Sequence, residues 1–447
     1  MDRRFEQRKQ QMLAECEVRD EVLEGLKGRL AEFLVPYGIG LAVDAQRRHA
    51  REFCQGLLSN LQRKNTESIA YEHDQDRRNL QHFMGTAEWD HAPLLDVLCQ
   101  QVGQQLGDPE GVLVIDPSGF PKHGRKSVGV ARQWCGRLGK VDNCQVGVYL
   151  AYVSPRDHAL CDFRLYLPHE WTKDRKRCRN AGVPKERLGH RTRHDLALEM
   201  IHARSQTLLH GWVAADDEFG KVGHFRRDLH ERGERYLLAI PHNLTVRVLE
   251  GDALPRRGKG APKAPAFVQV KKLREGLPAS AWTRLEVRHG EKGPLVVEAA
   301  RVPRVQAKCG RRNMPYAETL VFLRYNDEEG VRRDDSYLSD AAPDTPLAEF
   351  ARVASAERRV EESLRRGKSE AGLADYQVRT WDGWHHHQTL SLIALWFLVQ
   401  ETRRGKKIRA GPHAAATPAN GRPITGSRLG PVVPLAPARD HPPTAAA

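Results

Sequence analysis

Two short apolar runs that each end at an aspartate constrain the fold of this chain more than any other feature of its sequence. The first covers residues 112–115 and is followed by Asp116 and a Pro-Ser-Gly turn. The second covers residues 212–215 and is followed by Asp216 and Asp217. Continuous apolar runs of this length, bounded by turn residues, are typical of buried strands. The sequence therefore predicts two buried strands that carry carboxylates at their C-terminal ends.

The periodicity of apolar residues divides the 447-residue chain into parts of different character. Three- and four-residue spacing over residues 1–105 predicts a helical N-terminal domain, in which ordinary helix packing and a DNA-binding helix-turn-helix both remain open. Strands mixed with helices over residues 106–241 and 341–405 predict an α/β core. Short alternating segments over residues 242–340 predict an inserted β-rich subdomain. Residues 406–447 are rich in Ala, Pro and Gly, and we expect them to form a disordered tail.

The charge of the chain and the absence of export signals restrict its partners. A formal net charge of +14 and a pI near 9.5 attract polyanions, so nucleic acid is the first partner to test, although a merely soluble basic protein also fits. The eight cysteines include no Cys-x-x-Cys pair, so the sequence predicts no zinc ribbon. A reducing compartment is the simpler expectation. The N-terminus lacks the apolar stretch of a secretory signal, and the apolar run at 390–399 is too short to span a bilayer. We therefore predict a cytoplasmic protein with no membrane partner.

Phosphodiester chemistry is the reaction that carboxylates at strand ends suit best. Catalysis by two metal ions needs three or four carboxylates that come from separate elements and converge. Asp116 and Asp217 supply two of them, and the third is predicted to come from the helix that contains RRVEESLRRGKSE. An aspartate after a buried strand is also common as a turn or helix-cap residue, so neither aspartate is decisive alone. Their order along the chain and the acidic helix after the insertion favour one joint site.

Three segments of the sequence resemble a known family. They are VLVIDPSGFPKHGRKSVGVARQWCGRLGKVDNCQVGVYLAYVS, HGWVAADDEFG and VEESLRRGKSEAGLADYQVRTWDGWHHHQTLSLIALWFL. From about residue 33 to residue 405 the chain is similar to bacterial insertion-sequence transposases of the DDE type, in the IS-four-like clan and its seven-hundred-and-one branch. The resemblance implies a ribonuclease-H-like mixed sheet flanked by helices, and an enzyme that cuts DNA strands at insertion-sequence ends and rejoins them.

The resemblance also implies which residues carry the chemistry. The first acid of the family matches Asp116, and the second matches Asp217 in an Asp-Glu motif, with Asp216 as the alternative register. The third acid matches Glu361, and a lysine seven residues later matches Lys368, which would hold a phosphate as a point charge. The three acids would bind Mg²⁺, with Mn²⁺ as a substitute. The implied partners are double-stranded DNA, as terminal inverted repeats and as target, and a second copy of the chain in a synaptic complex at the bacterial nucleoid.

Two positions depart from the family's signature before the third acid. The signature arginine is Glu357 here, and the signature tyrosine is Ala354. Arg358 and Arg359 lie beside these positions and are candidates for DNA contacts. The departure leaves open a second interpretation, a transposase-derived DNA-binding protein that no longer catalyses. A third is a nuclease of the ribonuclease H fold that cuts without strand transfer, and the inserted region argues against it by analogy with cut-and-paste transposases.

Other basic, aromatic and histidine residues are candidates for contacts with DNA or with the core. Basic residues occur in three clusters: Lys122, Arg125 and Lys126; Lys173, Arg175, Lys176, Arg177 and Arg179; and Arg256, Arg257, Lys259, Lys263, Lys271 and Lys272. Each cluster is either a solvated face or a salt-sensitive contact with the DNA backbone. Trp134 and Trp384 fit base stacking and core packing equally. Adjacent helical residues point about 100° apart, so the histidines at 385–387 predict helix packing rather than a metal site.

Overall fold

The computed structural model describes residues 25–251, 254–255, 264–290, 293–310, 312–326 and 330–410, and this part begins with a group of helices. Their bounds are α1 Leu26–Leu34, α2 Asp44–Leu57, α3 Thr66–Glu72, α4 Arg77–Gly85 and α5 Ala92–Leu106. Asn65 caps α3, because its side chain accepts a hydrogen bond from the backbone N–H of Ser68 at 2.9 Å. The helical character predicted for the N-terminal part is confirmed over residues 26–106.

A mixed sheet forms the centre of the molecule. Its first six strands are β1 Val112–Pro121, β2 Ala131–Cys135, β3 Lys140–Val153, β4 His158–Leu165, β5 Trp212–Ala215 and β6 Tyr236–Ala239. β1 pairs antiparallel with β3 and parallel with β5, β5 pairs parallel with β6, and β2 and β4 both pair with β3. The order β4-β3-β1-β5-β6, with three antiparallel strands and then two parallel ones, is that of the ribonuclease-H-like fold. The predicted fold class is confirmed.

Helices pack against this sheet and complete the α/β core. Those between the strands are α6 His169–Lys173, α7 Arg175–Asn180, α8 Arg193–Arg204, α9 Asp217–Gly220 and α10 Gly223–Glu231. α8 begins after Thr192, because Thr192 and Asp195 form a capping box that satisfies two backbone N–H groups. The very short α9 follows β5 directly, which places the aspartates after β5 at a helix N-terminus.

The β-rich insertion extends the same sheet. Its elements are β7 Thr245–Val248, β8 Val268–Gln269, α11 Val270–Glu275, β9 Thr283–Gly290, β10 Gly293–Cys309, β11 Arg312–Asn313, β12 Glu318–Asn326 and β13 Arg332–Ser339. β13 pairs antiparallel with β6, and the order continues β13-β12-β10-β7-β8. A second, smaller apolar cluster that includes Val246, Val305 and Phe322 lies under these strands. The insertion thus has apolar packing of its own but is joined to the core by backbone hydrogen bonds.

The C-terminal helices connect the parts of the molecule. They are α12 Leu347–Ala354, α13 Ala356–Ser369 and α14 Trp381–Ala410. α13 packs on β1, and α14 packs on α2, α4 and α5, so the N-terminal helices and the α/β core share one hydrophobic core. α14 begins before the apolar run at 390–399 and runs past residue 406, where the predicted tail begins. The rest of that predicted tail, 411–447, lies outside the described residues, and none of the described helices is long and apolar enough to cross a membrane.

Candidate active site

Asp116 lies within β1, at the point where the sequence predicted the strand to end. The strand continues past it because its backbone stays paired with β3, where Tyr149 is opposite Asp116. Side chains alternate along a strand, so Asp116 and Ser118 project from the same face. Burial is the main cause that raises the pKa of Asp116 to about 7, and repulsion from Asp216 and Glu361 adds to it. The first predicted acid is therefore partly buried and is repelled by other carboxyl groups.

The acid that follows β5 and interacts with Asp116 is Asp216. β5 runs parallel to β1 with Ala215 in register with Ile115, so the next residue of each strand is an aspartate at the same edge. Asp216 caps α9, where its carboxylate accepts a hydrogen bond from the backbone N–H of Glu218 at 3.0 Å. Burial, followed by repulsion from Glu218 and Asp217, raises the pKa of Asp216 to about 6.

Asp217, which the sequence favoured as the second acid, points elsewhere. Its side chain is exposed at the first position of α9, and it is not among the main groups that raise the pKa of Asp116. Adjacent residues at a helix start differ in direction by about 100°, so only one of two neighbouring aspartates can face the strand edge. In this conformation the structure brings Asp216 to the site and leaves Asp217 outside.

α13 supplies the third acid and a lysine. Glu361 lies over the site, where partial burial raises its pKa and the neighbouring Arg358 lowers it. The Arg358 guanidinium stacks on the ring of Tyr325, with 4.3 Å between the guanidinium carbon and the ring centroid. Two turns after Glu361, the Lys368 ammonium donates a hydrogen bond to Ser118 Oγ at 2.6 Å. This bond fixes the lysine beside the strand that carries Asp116.

These groups surround a cavity of about 460 Å³, which we call the acidic pocket. It is lined by Asp116, Ser118, Arg137, Glu361, Leu364, Arg365, Lys368, Ser369, Ala374 and Asp375. Burial lowers the pKa of Lys368, Arg137 lowers it further, and Asp116 raises it. The pocket therefore combines carboxylates with three cationic side chains. Such a combination suits a phosphate group that is approached by a metal ion on its other side.

The donor set of the acidic pocket fits a hard divalent cation. Carboxylate oxygens are the protein ligands that Mg²⁺ prefers, and mutual repulsion among them is relieved by a cation. The Asp116 carboxyl receives no hydrogen bond from any described residue, so it has an unused acceptor capacity. Among the residues that the structure describes, however, no three His, Cys, Asp or Glu side chains are already gathered closely enough to hold a metal ion. Metal binding would require their side chains to turn toward one another.

A second cavity opens beside the acidic pocket and is lined by basic residues. It has a volume of about 670 Å³ and shares Ala374 with the acidic pocket. Arg125 and Lys126, in the loop after β1, and Arg379, before α14, are exposed along it. We call these three residues and their cavity the basic groove. Since the two cavities share a wall, a polyanion in the basic groove would continue into the acidic pocket.

Two other basic residues that were candidates for DNA contacts are engaged by the protein itself. The Lys122 ammonium donates a hydrogen bond to the Tyr376 carbonyl oxygen at 3.0 Å and lies 3.4 Å from the centroid of the Tyr376 ring. Burial lowers the pKa of Lys122 to about 8. Arg359 donates to the carbonyl oxygen of Ser154 at 3.0 Å. Both side chains therefore have structural contacts, and a DNA contact would be additional to them.

The remaining candidates separate into exposed and buried residues. Trp134 is 55% exposed and is available for stacking, whereas Trp384 is fully buried, so base stacking by Trp384 is wrong. Trp384 packs in the core, where its indole N–H is satisfied by a hydrogen bond that it donates to the hydroxyl of Tyr376 at 3.2 Å. The histidines at 385–387 are buried in α14, which agrees with helix packing. In the third basic cluster Lys271 and Lys272 are exposed, and its other members, 256–263, lie outside the described residues.

Sequence reasoning undervalued two acidic residues of this site. Asp216 was only the alternative register, although its place directly after the apolar run was a signal for it. Glu357 was treated as a lost arginine, although it precedes Glu361 by one helical turn and so shares its face of α13. Burial is the main cause that raises the pKa of Glu357 to about 8, and Asp216 and Asp116 raise it further. Carboxyl groups beyond the three predicted thus surround the site, among them Glu357 and also Asp375, which lines the acidic pocket.

Comparisons with known proteins place the chain in a family. Residues 39–294 match a family described as DDE superfamily endonuclease. A probable transposase for insertion sequence element IS701 from Microchaete diplosiphon is 32% identical over 197 residues, which are 43% of this chain and 49% of that protein. The chain thus spans about half the length of this curated relative. A cryo-EM structure of a piggyBac transposase synaptic complex with hairpin DNA aligns with a TM-score of 0.40 and 10% identity, over 80% of this chain and 66% of that one.

Proposed function

The chain belongs to the DDE superfamily of endonucleases, and we propose that it is a transposase that cleaves DNA at insertion-sequence ends and joins them to a target. One observation carries the proposal: carboxyl groups from β1 and α13 line a pocket that also contains Lys368, and the carboxyl group at the end of β5 repels the one in β1. The similarity to the insertion-sequence transposase points to the same substrate.

The proposed chemistry divides the work among the residues of the acidic pocket. Asp116, Asp216 and Glu361 would hold Mg²⁺ or Mn²⁺, which when bound would activate a water or a 3′-hydroxyl and stabilise the leaving oxygen. Lys368, held by Ser118, is placed to bind a non-bridging phosphate oxygen as a point charge. We assign the second position to Asp216 rather than to Asp217, because Asp216 directly follows Ala215, which is in register with Ile115, whereas the side chain of Asp217 is exposed.

The proposed substrate is double-stranded DNA, first as terminal inverted repeats and then as target. The basic groove would hold the backbone of the strand that enters the acidic pocket, through Arg125 and Lys126 and less directly through Lys122. Arg358 and Arg359 precede Glu361 on α13 and, in addition to their contacts with Tyr325 and Ser154, would contact the neighbouring phosphates. Because two ends must be brought together, we propose that a homodimer forms in the synaptic complex. The place of action would be the bacterial cytoplasm, at the nucleoid.

A catalytically inactive DNA-binding protein is the alternative. The replacement of the family's arginine by Glu357 favours it, because that replacement removes one phosphate contact and adds a negative charge beside the substrate. The presence of acids at all three catalytic positions argues against it. The two functions differ in whether the chain cuts DNA when a metal ion is supplied.

The deciding experiment is cleavage of DNA that carries the element's own terminal repeats, with Mg²⁺ or Mn²⁺ added. We expect nicking at the ends by the wild type, and at least a hundredfold loss in Asp116→Ala, Asp216→Ala and Glu361→Ala, because each removes a ligand of the reacting centre. Asp217→Ala should retain cleavage if Asp216 is the second acid. If instead Asp217→Ala loses cleavage and Asp216→Ala retains it, Asp217 is the second acid. Binding of the ends in EDTA and in Mg²⁺ alike, without any cleavage, would support the inactive alternative.

A further inference from the structure

The short helix α9 follows Asp216 directly and is joined to α10 through its last residue. The backbone N–H of Gly220 donates a hydrogen bond to the carbonyl oxygen of Asp216 at 3.0 Å, which closes the single turn of α9. The carbonyl oxygen of the same glycine accepts a hydrogen bond from the guanidinium of Arg226. The turn that carries Asp216 is therefore held at its far end by this guanidinium.

A carboxylate of the β-rich insertion holds the guanidinium in its turn. Arg226 Nε donates to Glu318 Oε1 at 2.7 Å, and Glu318 is the first residue of β12. The hydroxyl of Tyr236, in β6, donates to the same carboxylate oxygen at 2.8 Å and lies 3.1 Å from the hydroxyl of Tyr316. The side chains of Arg226 and Glu318 are both fully buried. The insertion and the core thus share one buried polar network that ends at α9.

The stability of the fold is a poor explanation for this buried pair. The cost of removing two charges from water offsets most of their attraction, so apolar residues of similar size often replace such a pair without loss of stability. Within the described residues, Arg226 Nη2 and Glu318 Oε2 are also buried without a hydrogen-bond partner, and unsatisfied buried polar atoms are costly. Apolar residues could not replace the hydrogen bond that the guanidinium donates to Gly220. The position of α9 therefore explains the pair better than its stability does.

We propose that Arg226 and Glu318 are positioning residues for the proposed DNA cleavage. Glu318 orients the guanidinium of Arg226, and the guanidinium fixes α9 so that Asp216 stays beside β1. This assignment rests on the proposed function, because it takes Asp216 as the second acid. Neither residue touches the substrate, since both act through Gly220. The β-rich insertion thus takes part in forming the active site.

The test replaces the pair by apolar residues of similar size, in the double variant Arg226→Met with Glu318→Leu. Its melting temperature should stay close to that of the wild type. At saturating terminal-repeat DNA and Mn²⁺, we expect its cleavage rate to fall by about tenfold or more with unchanged DNA affinity, because the second acid is no longer held in place. Without metal or DNA, the amide hydrogens of residues 217–220 should exchange faster than in the wild type, because α9 has lost the contact at its end.

Two single variants accompany the double variant. Arg226→Lys keeps a positive charge opposite Glu318, but an ammonium group lacks the planar fork of donors that reaches two acceptors, so cleavage and exchange should change in the same direction. This variant keeps the test valid if the double variant does not fold. Arg227→Met is the matched control on α10: Arg227 is 40% exposed and pairs with Glu231 of the same helix at 3.7 Å. It should cut DNA and exchange as the wild type does.

The outcomes separate the failure of this assignment from that of the proposed function. If the double variant cuts at the wild-type rate and residues 217–220 stay protected, the pair is only structural and the assignment is overturned. A loss of cleavage with unchanged exchange at 217–220 also overturns it, because the defect then lies outside α9. If the wild type cuts no DNA, the proposed function fails, and hydrogen exchange alone decides whether Arg226 and Glu318 hold α9: faster exchange supports that contact, and unchanged exchange overturns it.

Discussion

At the scale of single residues, the three histidines at 385–387 show how the core holds polar groups without charge. His386 Nε2 donates to the Trp89 carbonyl oxygen at 3.0 Å, and the two rings stack with 3.7 Å between their centroids. His387 Nε2 donates to the Gly372 carbonyl oxygen at 2.9 Å. Burial lowers the pKa of His386 to about 4 and that of His387 to about 3. Both imidazoles therefore stay neutral and join α14 to the loops around it.

The lowered pKa values predict that the protein loses stability in mild acid. Between the folded pKa of His387 and its ordinary value of 6.5, the unfolded chain binds the proton and the folded chain does not, so stability falls as the pH falls through this window. At pH 5 His387 should cost about 2 kcal/mol of the free energy of unfolding relative to pH 7. Urea unfolding at both pH values measures the loss of unfolding free energy between them. In His387→Gln this loss should be smaller by that amount than in the wild type. The exposed His123→Gln is the control, and an equal pH effect in both variants would contradict the prediction.

At the scale of elements, α9 determines where the second acid lies. Its last residue, Gly220, touches β6, and a Cβ there would overlap the carbonyl oxygen of Ala239. The Gly220 carbonyl oxygen accepts a hydrogen bond from Arg226 of α10, whose guanidinium also pairs with Glu318 of β12 at 2.7 Å. The Arg226–Glu318 pair is fully buried. This small helix is thus held by the core on one side and by the insertion on the other.

Gly220→Ala should therefore disturb the active site through packing alone. The added methyl group has no space against β6, and we expect a loss of about 2–3 kcal/mol in the free energy of unfolding. Gly28→Ala, in α1, is the control, because a Cβ there meets no atom within 4 Å. That change should raise stability by about 0.5–1 kcal/mol, as Gly to Ala does in helices. Denaturant unfolding measures both, and an undiminished stability of Gly220→Ala would contradict the close approach of α9 to β6.

Elements that local patterns define were predictable from the sequence, and those that distant partners define were not. The strands at 112–115 and 212–215 and the acidic helix that contains RRVEESLRRGKSE are set by neighbouring residues. β1 continues through a Pro-Ser-Gly stretch that is a turn signal locally, because β3 pairs with it over its whole length. α14 begins with polar residues that are stable there only because distant carbonyl groups accept their hydrogen bonds.

The residues of the candidate site also divide into those that local motifs reveal and those that depend on distant partners. Asp116, Glu361 and Lys368 could be found from their motifs, and the structure brings them to one pocket. The sequence could not decide between Asp216 and Asp217, because that choice depends on the residue at which β5 ends and α9 begins. A shift of one residue reverses which side chain faces the site.

At the scale of the whole molecule, two of the basic clusters lie far apart and can be compared. The basic groove lies beside β1, near one edge of the sheet, whereas Lys271 and Lys272 lie in α11 after β8, at the other edge. Seven strand spacings separate β1 from β8, a distance of roughly 30 Å at about 4.8 Å per strand. That distance exceeds the Debye length of about 8 Å at physiological salt, so the two sites act independently on a bound polyanion.

The salt dependence of DNA affinity should distinguish these two locations. Each neutralised phosphate contributes about −0.9 to the slope of log K against log salt, so Arg125→Gln with Lys126→Gln should make the slope shallower by nearly 2. Lys271→Gln with Lys272→Gln removes the same formal charge from the far edge and should leave the slope unchanged for a short duplex that ends at the acidic pocket. Fluorescence anisotropy from 50 to 200 mM salt, about the range over which such contacts weaken most, measures both slopes. Equal changes from the two pairs would mean that net charge, and not the basic groove, holds the DNA.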